Sequence, residues 1–430
     1  MRFEALAGHA RLLPAAAPGE EVGWYEHADG LATAALLRAP EPGAYSGLVF
    51  ARDRRQRFCA VGETPAKPTR PAAEAALRRA MQRALKASPQ PPSELAGPGG
   101  PLDFFAIGCP RPQRHPDFLR LAELEAYSPA RGMIEAMLRQ REHADDAIVA
   151  EFQTKGFERR LWELQLDAAL TELGYRLRRG RDLFNFLCSG PLGAFALKTL
   201  IVGSAPTAGA AVAPPRCDTP EALLAFLRHY MPIRFANTLL ARLQRAGRRR
   251  AKPAAGPLVY ALADCTASVT LTGTRAALDL YLYGRDQDWR QDEQGRPQVS
   301  LRKAETHCWE NKVLRSGFFE LPGADSISAV LFSNGGALDK CNRMGVLAGF
   351  GSGRVLLTRE GLQVDHEPGA AGPKPFRRIV NEPDYTEAWN EGLDVFHNPR
   401  ALVPLPEHCL PGCAHHWLVD GVRRVSRTPA

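Results

Sequence analysis

The sequence predicts an α/β protein: a central module of helix, hairpin, helix and strand, with an α+β domain before it and a β-rich region after it. Three observations carry that prediction. Residues 152–173 hold a long apolar pattern of helical period. Two strand-like runs follow, joined by Gly190-Pro191-Leu192-Gly193, and further helices lead to the apolar strand 257–263. From residue 281 onward, short strand-like runs outnumber helices.

Taken in chain order, residues 1–108 read as an α+β accessory domain. Strand character runs over 45–62, and a helix over 72–87 aligns Leu77, Met81 and Leu85 on one face. Residues 109–150 read as a helical connector, 151–284 as the core module and 285–430 as the β-rich region. In the helix at 152–173, Phe157, Leu161, Leu164 and Ala168 form one stripe, and Trp162, Leu166, Ala169 and Leu173 another. A helix apolar on two sides is packed on two sides. Gly174 suits the left-handed position that ends it. Strands are expected over 182–188 and 193–202, helices over 220–230 and 237–246, then the strand 257–263. Beyond 285, strands are expected over 326–332 and 354–358, and a helix over 385–392. Pro/Gly/Ala-rich stretches at 88–101, 203–215, 251–257 and 366–375 read as loops or linkers, and no fixed-period repeat occurs.

Composition narrows the classes. The chain has 430 residues, 45% of them hydrophobic and 24% charged, as in folded globular proteins. No uninterrupted apolar run reaches the about 18 residues of a membrane-spanning helix. Glu4, His9 and Arg11 break any leader-like apolar stretch. Nine cysteines scattered over a long chain read as reduced thiols, so a cytoplasmic location and no membrane partner are expected. Lys and Arg number 55 against 47 acids, a net charge of +8 that tolerates a polyanionic partner without requiring one. No phosphate-binding P-loop, dinucleotide fingerprint, G-x-S-x-G or H-E-x-x-H motif is present, which argues against those hydrolase, NTPase, Rossmann and zincin classes.

Trp162-Glu163-Leu164 through Gly174-Tyr175 resembles the first core helix of the PD-(D/E)XK, restriction-endonuclease-like superfamily in its Mrr-like form. The wider chain resembles an uncharacterised bacterial family containing that core. The resembling stretches are 151–175 (EFQTKGFERRLWELQLDAALTELGY), 280–284 (LYLYG), 316–345 (SGFFELPGADSISAVLFSNGGALDKCNRMG) and 395–404 (VFHNPRALVP). The resemblance implies a restriction-endonuclease-like mixed sheet flanked by helices and, ancestrally, Mg²⁺-dependent cleavage of nucleic acid. It implies an Asp on the first hairpin strand, and an acid, a spacer and a Lys on the second. Carboxylates suit Mg²⁺, a hard ion that takes oxygen ligands. An acid and a Lys two apart on a strand share one face, where they address metal and attacking water together.

This chain departs from that pattern. The resemblance places Asn185 where the metal-binding Asp belongs, and Lys198 either in place of the second acid or, with Ala196 as the lost acid, as the motif lysine. Either register leaves the second strand without its carboxylate. Glu163, Asn185 and Lys198 are thus a vestigial catalytic set, with Asp182 as the only nearby acid and Glu158 in reserve. The expectation is a degenerate nuclease-like protein that binds DNA, RNA or a protein partner, with no cofactor. Two alternatives stand beside it: an active Mg²⁺ endonuclease using Glu163, Asp182 and Lys198, and a structural or regulatory protein without a nucleic-acid role.

Simpler readings accompany each residue. Glu163 can be a helix residue paired with Arg159 or Arg160, Lys198 an edge-strand lysine, and Asn185 a turn residue. Arg178, Arg179 and Arg181 flank the hairpin, and Arg245, Arg248, Arg249 and Arg250 end a basic helix that also exposes Arg242. Both sets suit phosphates, or simply a solvated face. His408, Cys409, Cys413, His415 and His416 have zinc-ligand chemistry, but no second Cys pair of knuckle spacing occurs, so no metal site is expected. His397 suits acid–base work or a structural hydrogen bond.

Overall fold

A computed structural model describes residues 1–8, 10, 19–28, 30–39, 43–53, 55–86, 102–106, 108–140, 146–179, 185–203, 217–248, 256–266, 271–291, 297–363 and 374–428. The chain divides into two compact units, 1–157 with 341–356, and 158–340 with 357–430.

The first unit contains α1 (Arg2–Ala7) and the strands β1 (Glu20–Glu26), β2 (Ala32–Arg38), β3 (Tyr45–Arg52) and β4 (Phe58–Lys67), followed by α2 (Arg70–Lys86). The strands form an antiparallel meander in order β1-β2-β3-β4. Ala73, Leu77 and Met81 of α2 pack against Ala34, Leu36 and Val49 of that sheet, burying the stripe that the sequence shows. Then come α3 (Pro116–Glu123), α4 (Ser128–Arg139) and α5 (Asp146–Gln153). The single helix expected over 152–173 is broken after Gln153. That side chain turns back to donate to the carbonyls of Phe104 and Ala106, and the Glu151 carbonyl accepts from both Thr154 and Gly156.

Next follow α6 (Phe157–Glu172), β5 (Arg176–Arg179), β6 (Phe186–Gly190) and β7 (Gly193–Val202). α6 ends as Gly174 predicts. Gly174 takes φ +83°, the Gly174 amide donates to Thr171 O and the Tyr175 amide to Leu170 O, a paired closure of the last turn. α7 (Pro220–Ala225) runs through a π-helical turn into α8 (Met231–Arg248), so the two expected helices are continuous. Then come β8 (Leu258–Asp264), α9 (Leu271–Tyr283), the hairpins β9 (Arg285–Gln291) with β10 (Pro297–Lys303) and β11 (Thr306–Trp309) with β12 (Lys312–Arg315), and β13 (Ala329–Ser333). The chain closes with α10 (Ala337–Leu347), the hairpin β14 (Thr358–Gln363) with β15 (Lys374–Ile379), β16 (Asp394–His397), β17 (Ala414–Val419) and β18 (Val422–Ser426).

Eight strands form one mixed sheet in order β18-β17-β16-β13-β8-β7-β6-β5. β5, β6 and β7 are an antiparallel meander, while β7, β8 and β13 are mutually parallel. The sheet takes strands from both 151–284 and 285–430, so those two segments share a single hydrogen-bonded layer. Along β7, Leu200 and Val202 join the core made by Phe235, Leu239, Leu278 and Tyr281 of α8 and α9. Leu197 and Thr199 alternate to the opposite face. α6 sends the Trp162 indole N–H to Ala261 O of β8.

Three more expectations change. β7 lies between β6 and β8, so Lys198 is not on an edge strand. The strand expected over 354–358 begins only at Thr358. No helix forms over 385–392, because other residues take its backbone groups: Lys340 Nζ donates to Ala388 O and Glu391 O, and the Trp389 amide donates to Glu172 Oε2. Among the described residues no helix is long and apolar enough to cross a membrane.

Candidate functional site

α6 and the hairpin β6–β7 bring two of the expected residues into contact. Glu163 is 5% exposed. Its Oε1 accepts from Asn185 Nδ2 at 3.0 Å and its Oε2 from Arg160 Nη1 at 2.9 Å. Asn185 precedes β6 and is held from both sides. Its amide N–H donates to Leu197 O at 2.9 Å, and its Oδ1 accepts from the Thr199 amide at 3.2 Å. The hairpin is fixed by Gly190, where a Cβ would meet Gly174 O at 2.9 Å, and by Gly193 at φ +119°.

Lys198 alternates with Leu197 and Thr199 and so shares the α8 face with Leu200 and Val202. It stands beside Tyr260 in the parallel register. Among the described residues it makes no hydrogen bond or ion pair, yet it is half-buried. Burial lowers its pKa first, and the guanidiniums of Arg242 and Arg159 push in the same direction; the Glu163 carboxylate opposes them. Burial raises the Tyr260 phenol, against the pull of Arg242. Arg242, expected on a solvated face, is therefore turned toward the sheet, one helical step from the exposed Arg245.

Arg160 and Asn185 thus hold the Glu163 carboxylate, while Lys198 stands on the adjoining strand on the face toward α8. The sequence places Arg242 on the exposed basic face and does not single out Tyr260; Arg242 falls between Leu239 and Leu243 on α8, a signal that it borders the buried face. Mg²⁺ does not fit this set. Both Glu163 oxygens already accept from cationic or amide donors, and the Lys198 ammonium on the adjoining strand would repel the ion.

The other expected residues are not part of it. Glu158 starts α6 and is partly exposed, and Arg178 is exposed on β5. Asp182, Arg181, Arg249 and Arg250, and the side chains of Arg179 and Arg248, lie outside the described residues. In the C-terminal cluster, His397 Nε2 lies 2.8 Å from His415 Nδ1, His415 Nε2 lies 3.0 Å from Leu410 O, and His416 Nε2 lies 2.7 Å from Asp394 Oδ1. The imidazole nitrogens are thus engaged in structural hydrogen bonds. Burial pushes the Cys413 thiol up to about 12 and, with His415 and His416, pushes His397 down to about 3. Among the described residues no three His, Cys, Asp or Glu side chains are placed to hold a metal ion.

A second polar constellation lies at a cleft of about 550 Å³ lined by Glu172, Glu387, Asn390, Glu391 and Arg427. There Lys340 Nζ and Glu387 Oε1 are 2.6 Å apart and fully buried, Tyr385 OH donates to Glu387 Oε2, and Arg359 Nη1 meets Glu391 at 2.8 Å. Lys340 has three acceptors in Glu387, Ala388 O and Glu391 O, so this network is satisfied internally and pins the 385–391 segment.

Compared with known proteins, the chain matches no family model, no curated protein and no solved structure.

Proposed function

We propose that this chain carries a restriction-endonuclease-like module that has lost metal-dependent cleavage and binds nucleic acid. The observation that carries the reading is the Glu163–Asn185 contact between α6 and the start of β6, with Lys198 on the adjoining strand. The resemblance assigns these positions to metal-binding chemistry, yet the hairpin offers an amide and an ammonium there. Each replacement removes attraction for Mg²⁺, and Lys198 adds repulsion. The half-buried Lys198 and the exposed Arg178 and Arg245 favour a phosphate backbone instead.

Three measurements test this. In a nicking assay with Mg²⁺ or Mn²⁺ the chain leaves plasmid DNA intact, and calorimetry detects no Mg²⁺ binding. The double variant Asn185→Asp, Lys198→Glu gains metal binding. Cleavage by the unmodified chain that disappears in Glu163→Ala overturns the reading in favour of an active nuclease. Duplex or single-stranded DNA binds with steep salt dependence. Replacing Arg245 with Ala flattens the slope of log K against log salt by about 0.7–0.9 for one lost phosphate contact. Absence of binding at low salt moves the assignment to a structural role.

A further inference from the structure

We infer that the cleft of about 550 Å³ beside the 385–391 segment binds a free α-amino acid, with the ligand carboxylate on Arg427 and the ligand ammonium at Asn390 and Glu391. The cleft shares no residue with the Glu163–Asn185 contact, so this site stands whether or not the chain binds nucleic acid. Asn390 Nδ2 donates to Pro411 O at 2.6 Å, and Arg427 Nε donates to Gly412 O at 3.1 Å. Consecutive carbonyls of one loop thus bring the amide and the guanidinium to the same part of the cleft wall. The Gly412 amide donates to Thr428 O at 2.9 Å and ties the chain after β18 to that loop. Both side chains keep an unused end. Asn390 is 3% exposed, and its Oδ1 has no hydrogen-bond partner among the described residues; nor have Nη1 and Nη2 of the exposed Arg427. Thr428 also lines the cleft, and its Oγ1 is buried without a partner. Buried polar atoms cost free energy until they are hydrogen-bonded.

The charges at the cleft balance. Glu172, Glu387 and Glu391 stand against Arg427 and against Lys340 and Arg359, which pair with Glu387 and Glu391. A balanced site disfavours a ligand of net charge and suits one that carries both signs. An α-carboxylate matches the planar fork of Arg427, whose Nε is already fixed and whose two Nη groups remain. An α-ammonium brings three N–H donors. Asn390 Oδ1 and one Glu391 oxygen accept two of them, while the other Glu391 oxygen meets Arg359 Nη1 at 2.8 Å. No aromatic ring is among the described lining residues, which disfavours a flat apolar ligand. The volume lies in the small-molecule range of about 300–1,000 Å³ and leaves room for a side chain beyond the two charged groups. Lys340 holds the segment that carries Asn390 and Glu391 before any ligand arrives, so binding needs little further ordering.

Calorimetric titration of the full chain with each of the common L-α-amino acids in turn tests the site. At least one is expected to bind and, by linkage, to raise Tm. Its methyl ester lacks the carboxylate charge and its N-acetyl form lacks the ammonium. Each should bind about tenfold more weakly, the loss of one charge-assisted contact. Arg427→Gln should weaken binding by about the same factor and abolish the discrimination against the methyl ester, with circular dichroism unchanged. Glu391→Gln should reduce the discrimination against the N-acetyl form, and Arg427→Lys should retain part of the affinity. The blocked ligands are compared on the unmodified chain, so they decide even where a variant fails to fold. Failure of every amino acid to bind overturns the site. Equal binding of free and blocked forms, or tighter binding of glucose, overturns the zwitterion. Binding that neither Arg427→Gln nor Glu391→Gln weakens puts the ligand elsewhere and overturns the assignment to this cleft.

Discussion

Glu163 and Lys340 are both buried charges, and their partners decide what each contributes. Glu163 is neutralised by Arg160 and fixed by Asn185, which also accepts from the Thr199 amide. Asn185→Ala removes bonds to a buried carboxylate and a backbone amide, so a loss of about 1–3 kcal/mol is expected in urea unfolding. Lys340 is 2% exposed and Glu387 5%. Lys340→Met removes the nearest cation from the buried Glu387 carboxylate, leaving it Tyr385 OH and Arg359 Nη1 at 3.7 Å, and should cost about 3 kcal/mol. Adding Glu387→Gln should recover part of that loss, whereas an additive loss would show that the pair does not act as a unit. At this scale the sequence named Glu163, Asn185 and Lys198, and left Arg159 and Arg160 as alternative partners of Glu163, of which Arg160 makes the bond. It did not reveal Arg242, because helical spacing shows which residues border a face and not what that face meets.

Among the elements, the β6–β7 hairpin sets the geometry of the site. Gly190 lets the Gly174 carbonyl approach, and an added Cβ would lie 2.9 Å from that oxygen and 3.2 Å from Tyr175 Cα. Both are backbone atoms, so neither can move aside cheaply. Gly190→Ala is therefore expected to lower stability by about 1–3 kcal/mol in thermal unfolding. Gly62→Ala in β4, where nothing lies within 4 Å of the added carbon, should be close to neutral. The turn was legible because Gly-Pro-Leu-Gly is local chemistry. The expected helix over 385–392 failed for the opposite reason: Lys340, near in space and remote in sequence, holds the Ala388 and Glu391 carbonyls.

Across the eight-stranded sheet, β16 and β17 lie in parallel and place the His397–His415 pair inside. His397 is pushed down to about 3 by burial and by its two histidine neighbours, and burial lowers His415 as well. Both stay neutral in the folded chain. Below the ordinary histidine value of about 6.5 the unfolded chain takes up protons that the folded chain refuses. Stability is therefore full above that pH and falls as the pH drops toward the depressed folded values, by at most about 1.4 kcal/mol per unit for each histidine. Urea midpoints measured from pH 7 down to 4 should decline, and His397→Phe should flatten the decline. A midpoint independent of pH over that range would refute the assignment of a neutral buried pair.

By itself the sequence determined the α/β class, the doubly apolar α6, its Gly174 ending, the hairpin and the strand β8. Each of these rests on period, Pro/Gly placement or local composition, which act over a few residues. Only the tertiary structure decided that β13, β16, β17 and β18 complete the sheet begun by β5 to β8. It alone turned Arg242 toward Tyr260 and occupied both oxygens of Glu163. Strand order and charge neighbours are long-range choices. They are set by which apolar faces meet and by which buried polar groups then find partners, and one-dimensional spacing carries neither.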